Sequence, residues 1–585
     1  MSAPSRRRTG SISILFLMGG AGLFAIVTNL SEVRIVHDSA AEHVDQERLR
    51  NLVATGQKPK AFDEAFTGGD ELFEVKFNIL DGVGGNVGTG QRFTRVPRAD
   101  LKGSNEWFNH RPIRVTGPNA DACNSCHRAP FDDGAGDASA NVHRDTFRTG
   151  QIGQFVERNT PHLFAPGAVQ RLAEEMTDGL HADRQRLVDE ACKSSVKQTV
   201  TLSTKGVNFG TLSATRTSSS PCKVTFDTSG VRGVDFLPSV DNPAAPPDLI
   251  IRPFQWKGSV AFLRDFNRGA SHNELGMQAV EVAGDGVDGD FDGVVNELTI
   301  GDQTALAVYL AAQPRPTTLL ELVSLDLIEA LPPAQVTAIN RGREVFNAIN
   351  CDSCHKPSLT IDEPIFSEPS QNAAYRDGSA FPAGQSPVQR GVDPRFAVTF
   401  NLTKDQPDNI IPRPNGSVFR LGSLKKDNEE RAIVELFSDL KRHEMGPRLA
   451  EPVNEIAGTD VTPIPLDPRN RHTPSTFLTE ALWGVGSTAP YMHDGRATTL
   501  AEAILEHATS DNNDPSEAAN ERRNYLNLPS SDKRALIAFL DNLVLFKVEE
   551  QEGVLVAVVA PKNVELKIPR GAVTRPARDI AKQEP

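Results

Sequence analysis

Two five-residue stretches share one pattern of chemically active residues. Residues 123–127 read CNSCH and residues 351–355 read CDSCH, so these first and second motifs use four of the six cysteines. Two cysteines with this spacing bring their sulfur atoms close enough to form thioether bonds to the two vinyl groups of one haem. The histidine that follows then lies beneath the iron as an axial ligand. Each motif therefore predicts one covalently bound c-type haem.

Zinc sites and redox-active dithiols also use closely spaced cysteines. A zinc site would need further cysteines or histidines close in sequence, and neither motif has them. Two copies at matching places of a repeat, behind an apparent export signal, favour haem over both readings and over chance. The residues predicted to hold the two haems are Cys123, Cys126, His127, Cys351, Cys354 and His355.

A weak internal repeat surrounds the two motifs. The matching segments are residues 69–73 with 342–346, 158–161 with 471–474, and 254–263 with 491–500. The last pair sets Trp256 opposite His493. Each copy ends in an amphipathic segment with helical spacing, at 301–314 and at 530–543. The chain therefore uses one design twice, and PRPTT at 314–318 predicts a linker between the copies.

The predicted fold class is mostly α, with two cytochrome c-like haem domains in tandem. The N-terminal haem domain is predicted at 60–315, the C-terminal one at 335–546, and a short β-rich C-terminal tail at 547–585. The first domain is predicted to contain a loop- and β-rich insertion at about 175–250. Cys192 and Cys222 lie in this insertion, and an exported chain favours a disulfide between them over two buried thiols.

Composition and the N-terminus limit the class of protein. The 585 residues are 38% hydrophobic with a formal net charge of −14, which indicates a globular chain of two or three domains. An acidic surface argues against nucleic acid and favours basic protein partners. Three arginines followed by an apolar run predict an export segment at 1–35, either a signal peptide or a membrane anchor. The predicted location is the periplasm.

Several strings resemble a known family. APYMHDGRATTLAEAILEH at 489–507 and RHEMGP at 442–447, together with the two motifs, resemble the bacterial di-haem oxidoreductases of peroxidase type. More distantly, the chain is similar to the di-haem cytochrome c peroxidases and their methylamine-dehydrogenase-maturing relative. The resemblance covers most of residues 60–546. It implies that His355 and His507 are the axial pair of the second haem, with a lower potential than a histidine–methionine pair.

The resemblance leaves two candidates for the far side of the first iron. His143 follows His127 at the spacing of a displaceable distal histidine. Alternatively, the loop at 269–277 places His272 or Glu274 over the iron, where a glutamate can carry a proton between the two oxygens of a peroxide. Trp256 resembles the tryptophan that lies between the two haems, where it relays electrons; a core tryptophan is the alternative.

An acidic run predicts either a calcium site or a solvated turn. Asp288, Asp290 and Asp292 occupy positions one, three and five of the run, a glycine occupies position six, and Glu297 could complete the shell. The related peroxidases hold calcium near the interface of their haem domains, which the resemblance extends to this chain as an expectation.

These expectations combine into one predicted function. The chain is expected to be an exported di-haem oxidoreductase that acts as a peroxidase. A small periplasmic donor, a cytochrome c or a cupredoxin, would reduce the C-terminal haem, and a catalytic N-terminal haem would reduce peroxide or another small oxidant. The alternatives are a non-catalytic electron-transfer cytochrome, with His143 permanently on the first iron, and a haem-dependent oxygenase of the polyisoprene-cleaving type.

Overall fold

The computed structural model describes residues 39–84, 92–94, 119–145, 156–239, 242–288, 293–376, 388–412, 417–452, 473–551 and 554–559. These residues all belong to one compact unit that begins at Ser39. The predicted export segment at 1–35 lies outside them. Among the described helices, none has the length and apolarity needed to cross a bilayer. The domain boundaries expected from the sequence stay predictions.

The helices of the described residues vary from one turn to almost eight. They are α1 (Gln46–Ala54), α2 (Lys58–Glu74), α3 (Pro166–Lys193), α4 (Leu263–Ala270), α5 (Val280–Ala283), α6 (Ile300–Ala311), α7 (Leu319–Ser324), α8 (Pro333–Ala348), α9 (Gly446–Leu449), α10 (Leu500–Glu506), α11 (Ala519–Asn527) and α12 (Ser530–Asp541).

The strands are mostly short and pair antiparallel in small sheets. Their bounds are β1 (Arg92–Thr94), β2 (Val142–Asp145), β3 (Val156–Arg158), β4 (Gln198–Thr204), β5 (Val207–Ser219), β6 (Cys222–Asp227), β7 (Thr317–Thr318), β8 (Leu359–Ile361), β9 (Ile365–Glu368), β10 (Val398–Asn401), β11 (Ile410–Pro412), β12 (Val418–Arg420), β13 (Lys425–Lys426), β14 (Ala432–Val434), β15 (Arg442–Glu444), β16 (Thr476–Leu478), β17 (Leu543–Val544), β18 (Phe546–Gln551) and β19 (Val554–Val559). The three-stranded sheets have the orders β1-β2-β3, β4-β5-β6 and β13-β14-β8.

The predicted mostly α fold of two tandem cytochrome c-like domains is wrong. The structure is 38% helical and 18% strand, and the strands are spread over several small sheets. Many of them lie between residues 359 and 434, a part of the chain with no recognisable strand pattern. Each has only two to four residues, too few for alternation to be recognised. Their partners are distant in sequence, as in the pairing of β14 with β8.

Two helices that pack on each other lie next to each motif. Helix α2 precedes the first motif and packs on α6, while α8 precedes the second motif and packs on α12. A Cβ atom added at Gly69 would overlap the carbonyl oxygen of Ala305, and one added at Gly342 would overlap that of Ala535. The sequence repeat aligns these two glycines. Glycine therefore lets the helices of each pair approach closely.

The aligned segments 254–263 and 491–500 also share a turn geometry. Residues 254 and 260 form an isolated antiparallel bridge, and so do residues 491 and 497. Gly258 and Gly495, which the repeat aligns, both adopt positive φ, at 57° and 70°. The same turn therefore presents Trp256 in one copy and His493 in the other.

The expected insertion begins with helix, not loop or strand. Helix α3 runs to Lys193, and the sheet β4-β5-β6 follows it and packs against it. Cys192 at the end of α3 is disulfide-bonded to Cys222 at the start of β6, with Cα atoms 5.9 Å apart. The disulfide predicted for the pair is therefore present and ties the sheet to the helix.

We expect Gly342→Ala to lower the free energy of unfolding by about 1–3 kcal/mol, because the new methyl group must push α8 away from α12. Chemical denaturation followed by circular dichroism measures the change. Gly269→Ala is the matched control, since this helical glycine has no atom within 4 Å of an added Cβ. Equal stability of the two variants would contradict the close-packing role.

Candidate haem sites

The first motif fixes its histidine through a backbone carbonyl. A 3-10 turn at Cys123–Ser125 leads to His127, whose Nδ1–H donates to the carbonyl oxygen of Pro161 at 2.9 Å. A carbonyl oxygen only accepts, so the proton is on Nδ1 and Nε2 keeps its lone pair. Burial lowers the pKa of His127 to about 4. The imidazole is therefore neutral and ready to bind a metal through Nε2.

The second motif has the same local arrangement and a second histidine. Nδ1 of His355 donates to the carbonyl oxygen of Phe437 at 3.1 Å, and Nδ1 of His507, at the end of α10, donates to that of Ala503 at 2.8 Å. Burial lowers the pKa of both imidazoles, that of His355 to about 4. Both rings therefore keep Nε2 for coordination.

The separation of these two rings suits one iron between them. The ring centres of His355 and His507 lie 6.4 Å apart. Two imidazoles bound on opposite faces of one haem iron have ring centres about 6 Å apart. The second site thus fits a haem with two histidine ligands, as the resemblance implies.

A cavity at this site has the composition that a porphyrin needs. It is lined by the second motif, by His507 and by apolar side chains of α8, α10 and α12. An apolar cavity with a few convergent polar groups is typical of cofactor sites. The cavity continues to Pro161 and Trp256 in the first copy. It therefore reaches the residue that holds His127 in place.

Asn159 connects Trp256 to the 491–497 turn. The indole Nε1–H of Trp256 donates to the carbonyl oxygen of Asn159 at 3.0 Å. The Asn159 backbone N–H donates to the carbonyl oxygen of His493, and its side-chain amide to that of Pro490, both at 2.7 Å. Trp256 is thus held at the boundary between the two copies, beside the cavity.

A π-helical turn carries the two distal candidates His272 and Glu274. It spans Ser271–Leu275, directly after α4. The Asn119 side-chain amide donates to Glu274 Oε2 at 2.8 Å, and the Asn119 backbone N–H donates to the Glu274 carbonyl oxygen at 2.9 Å. Asn119 stands four residues before Cys123, so Glu274 lies against the segment that leads into the first motif. Turns of this type are frequent at functional sites.

Residues 431–543 match the family described as "Di-haem oxidoreductase, putative peroxidase". This is the family that the motifs resemble, and the matched segment contains His443, His493 and His507. No curated protein matches the chain. The family name implies two haems and a peroxidase-like oxidoreductase activity.

His143 falls on β2, where the structure describes the backbone alone. Its partners across the sheet are Thr94 in β1 and Glu157 in β3. The position of its imidazole lies outside the described residues, and ligation of the first iron by His143 stays a prediction.

The calcium candidate is only partly covered by the described residues. Asp290 and Asp292 lie outside them. Asp288 accepts a hydrogen bond from the Gly293 N–H at 3.0 Å, and Glu297 accepts one from the Gln278 N–H at 2.8 Å. Both carboxylates therefore take part in the local backbone structure, and calcium binding stays a prediction.

His493, within the family match, is buried between charged groups. Its Nε2 lies 3.8 Å from a carboxylate oxygen of Glu451 and of Asp494, and its ring packs on Phe477 with centres 4.5 Å apart. Burial lowers the pKa of His493 to about 3. The imidazole is therefore neutral where it lines the cavity.

The sequence reasoning assigned no role to His443. Its Nε2 lies 3.0 Å from Asp439 Oδ2 and its Nδ1 lies 2.8 Å from Glu517 Oε2. Burial opposes a charge, but the hydrogen bonds to these carboxylates outweigh it and raise the pKa of His443 to about 12. An imidazolium has no lone pair for a metal. In this protonated state His443 offers no ligand atom, although Cys354, Asp439 and His443 lie close enough to one another to share an ion.

The first cysteine of each motif lacks the lowered pKa of a redox-active thiol. None of the four motif cysteines takes part in a disulfide. Burial raises the pKa of Cys123 and of Cys351 to about 12. Reactive thiols need a lowered pKa, so these side chains suit attachment to a cofactor better than exchange chemistry.

A buried ion network, which sequence reasoning also missed, supports the π-helical turn. Glu281 accepts from Arg264 Nε at 2.7 Å and from Arg268 Nη1 at 2.9 Å. Arg264 also donates to Glu368 in β9 at 2.8 Å. All four side chains are almost fully buried, so removing one partner would leave an uncompensated charge. In the segment FLRDFNRGA at 262–270, the pattern of charged and apolar residues does not indicate that the charged side chains are buried.

We expect His507→Met to raise the midpoint potential of the second haem by on the order of 100 mV, because a thioether stabilises the reduced iron more than an imidazole does. Spectroelectrochemical titration measures this. His181→Met, a half-buried histidine of α3 outside the cavity lining, is the control. An unchanged potential in His507→Met would remove His507 from the ligand set.

Proposed function

We propose that the chain is an exported di-haem c-type peroxidase with one closed and one open haem site. The observation that supports this is a difference between the copies. His355 and His507 face each other at the distance of an axial pair, with ring centres 6.4 Å apart. Among the side chains that the structure describes, the aromatic ring next to His127 is that of Phe73, at 6.2 Å, and not a second histidine. A haem with two strong ligands transfers electrons, and a haem with an open face can bind an oxidant.

The side chains then have separate roles. When bound, the two haems supply electron transfer and the reduction of peroxide. His127, His355 and His507 would hold the haem irons, and the cysteines of the two motifs would anchor the porphyrins covalently. Trp256 stands between the sites as an electron relay. Glu274 takes a proton from one peroxide oxygen and gives it to the other, as general acid–base catalysis requires.

The electron donor is proposed to be a small periplasmic protein, either a cytochrome c or a cupredoxin. Ser353, within the second motif, is exposed, so a partner can approach the closed haem at this point. The net charge of −14 favours a basic donor surface.

Export to the periplasm rests on two features. The N-terminal residues have the order expected of an export segment. The disulfide between Cys192 and Cys222 belongs to the folded chain and requires an oxidising compartment to persist.

We expect the double variant Cys351→Ser, Cys354→Ser to carry one covalent haem instead of two, because the second porphyrin loses both thioether links. Intact-protein mass spectrometry and the absorbance of the haem in alkaline pyridine measure this. The double variant Cys192→Ser, Cys222→Ser is the control and should keep two haems. Wild-type protein with fewer than two covalent haems would contradict the proposal.

We expect Glu274→Gln to slow peroxide turnover about 10²–10⁴-fold, the usual contribution of a general acid–base group. Glutamine can still accept the hydrogen bond from Asn119 but cannot carry a proton. Turnover is measured as oxidation of a reduced cytochrome c by hydrogen peroxide. Glu435→Gln, an exposed change, is the control. Equal turnover of the two variants would exclude Glu274 as the acid.

A further inference from the structure

Tyr309 of α6 has an unusual environment for a core tyrosine. Its side chain is 2% exposed, and its hydroxyl donates to the carboxylate of Asp133, with Oδ1 at 2.9 Å and Oδ2 at 3.1 Å. Asp133 is fully buried, and Lys547 Nζ lies 3.0 Å from its Oδ2. An ion pair buried beside a phenol destabilises the fold unless every charged or polar group has a hydrogen-bond partner. Packing of the helix pair alone does not require these three groups.

The internal repeat provides a comparison for this position. Phe73 packs on Tyr309 with ring centres 5.4 Å apart, and Phe346, which the repeat aligns with Phe73, packs on Phe539 at 5.5 Å. Phe539 takes the place of Tyr309, because a Cβ added at Gly69 meets Tyr309 Cβ and one added at the aligned Gly342 meets Phe539 Cβ. The second copy therefore fills the same place in its helix pair with a phenylalanine. The packing does not need a hydroxyl, and the first copy adds both the hydroxyl and a buried carboxylate to accept from it.

Tyr309 also lies close to the open haem site. Its ring contacts Phe73, and the Phe73 ring lies 6.2 Å from that of His127. One intervening aromatic ring thus separates the phenol from the proximal histidine. The hydroxyl occurs in the copy proposed to react with peroxide, and the phenylalanine in the copy proposed to transfer electrons.

We propose that Tyr309 is an oxidisable residue that gives one electron to the peroxide-oxidised first haem and its phenolic proton to Asp133. The proposal rests on the proposed function, since hydrogen peroxide is the oxidant. In the step the O–H bond of Tyr309 breaks, the electron reduces the first haem site by one equivalent, and the proton binds a carboxylate oxygen of Asp133. The product is a neutral tyrosyl radical.

The pair Tyr309 and Asp133 suits a coupled loss of electron and proton. Burial, with the charge of Asp133, raises the pKa of Tyr309 well above its ordinary value, so the phenol stays protonated until it is oxidised. Oxidised phenols are strong acids, and Asp133 is already hydrogen-bonded to receive the proton. Lys547 keeps Asp133 paired with a positive charge in the resting state.

The step would let a donor that delivers single electrons serve a reaction that consumes two. Peroxide takes two electrons at once, while small redox proteins deliver them singly. Tyr309 can supply one of the two electrons immediately, and the donor later restores the phenol. The first haem site would then not have to hold the whole oxidising equivalent.

The test is electron paramagnetic resonance of the holoprotein, frozen within milliseconds of mixing with hydrogen peroxide. The expected result is an organic radical whose line shape narrows when the protein contains ring-deuterated tyrosine. Tyr309→Phe should lower the signal at least tenfold, and it should fold because Phe539 fills the aligned position. Tyr375→Phe is the control: this buried hydroxyl contacts Thr177 and the Ile251 carbonyl.

A second variant tests the assignment without changing Tyr309. The chain has four tyrosines, so replacing Tyr375, Tyr491 and Tyr525 with phenylalanine leaves Tyr309 alone. This variant should keep the radical. Loss of the signal there, its survival in Tyr309→Phe, or a haem spectrum that responds to peroxide without any tyrosyl radical would overturn the inference and leave the proposed peroxidase function standing. Haems that do not respond to peroxide would contradict both.

Discussion

The hydrogen bond from a histidine Nδ1–H to a backbone carbonyl is the interaction on which both sites depend. His127, His355 and His507 each make it. The bond fixes the tautomer and directs Nε2 into the site, and burial keeps each ring neutral. For His127 the accepting carbonyl belongs to Pro161, thirty-four residues along the chain. The fold around this carbonyl, including the contacts of Asn159 with Trp256 and with the 491–497 turn, thereby determines the geometry of the first site.

The two copies share a scaffold and differ in what they add to it. Each has a helix pair that meets at a glycine, a motif that follows the first helix, and a turn of common geometry. The second copy adds His507 opposite its proximal histidine. The first copy adds the π-helical turn with Glu274, held by Asn119 and the buried arginine network, and the hydrogen-bonded pair of Tyr309 and Asp133. In the proposed function, the shared parts position a haem and the added parts separate electron transfer from peroxide chemistry.

The sequence predicted best those features that depend on local spacing or on repetition. The motifs and the aligned segments with their glycines are evident in the chain, and the resemblance pairs His507 with His355, whose rings the structure places 6.4 Å apart. The strands between 359 and 434 could not be predicted, because each is very short and paired with a remote segment. Burial of charged residues could not be predicted either. The side chains of Arg264, Glu281 and Asp133 are buried because each pairs with an oppositely charged residue distant in sequence, and local composition does not indicate such pairs.

The most direct test of the central claim, one closed and one open haem, is the electron paramagnetic resonance spectrum of the fully oxidised and half-reduced holoprotein with and without cyanide. We expect one low-spin haem with two histidine ligands whose signal cyanide leaves unchanged, and a second haem whose signal cyanide alters in at least one redox state. If cyanide changes neither haem signal in any redox state, the claim of one open haem site is contradicted.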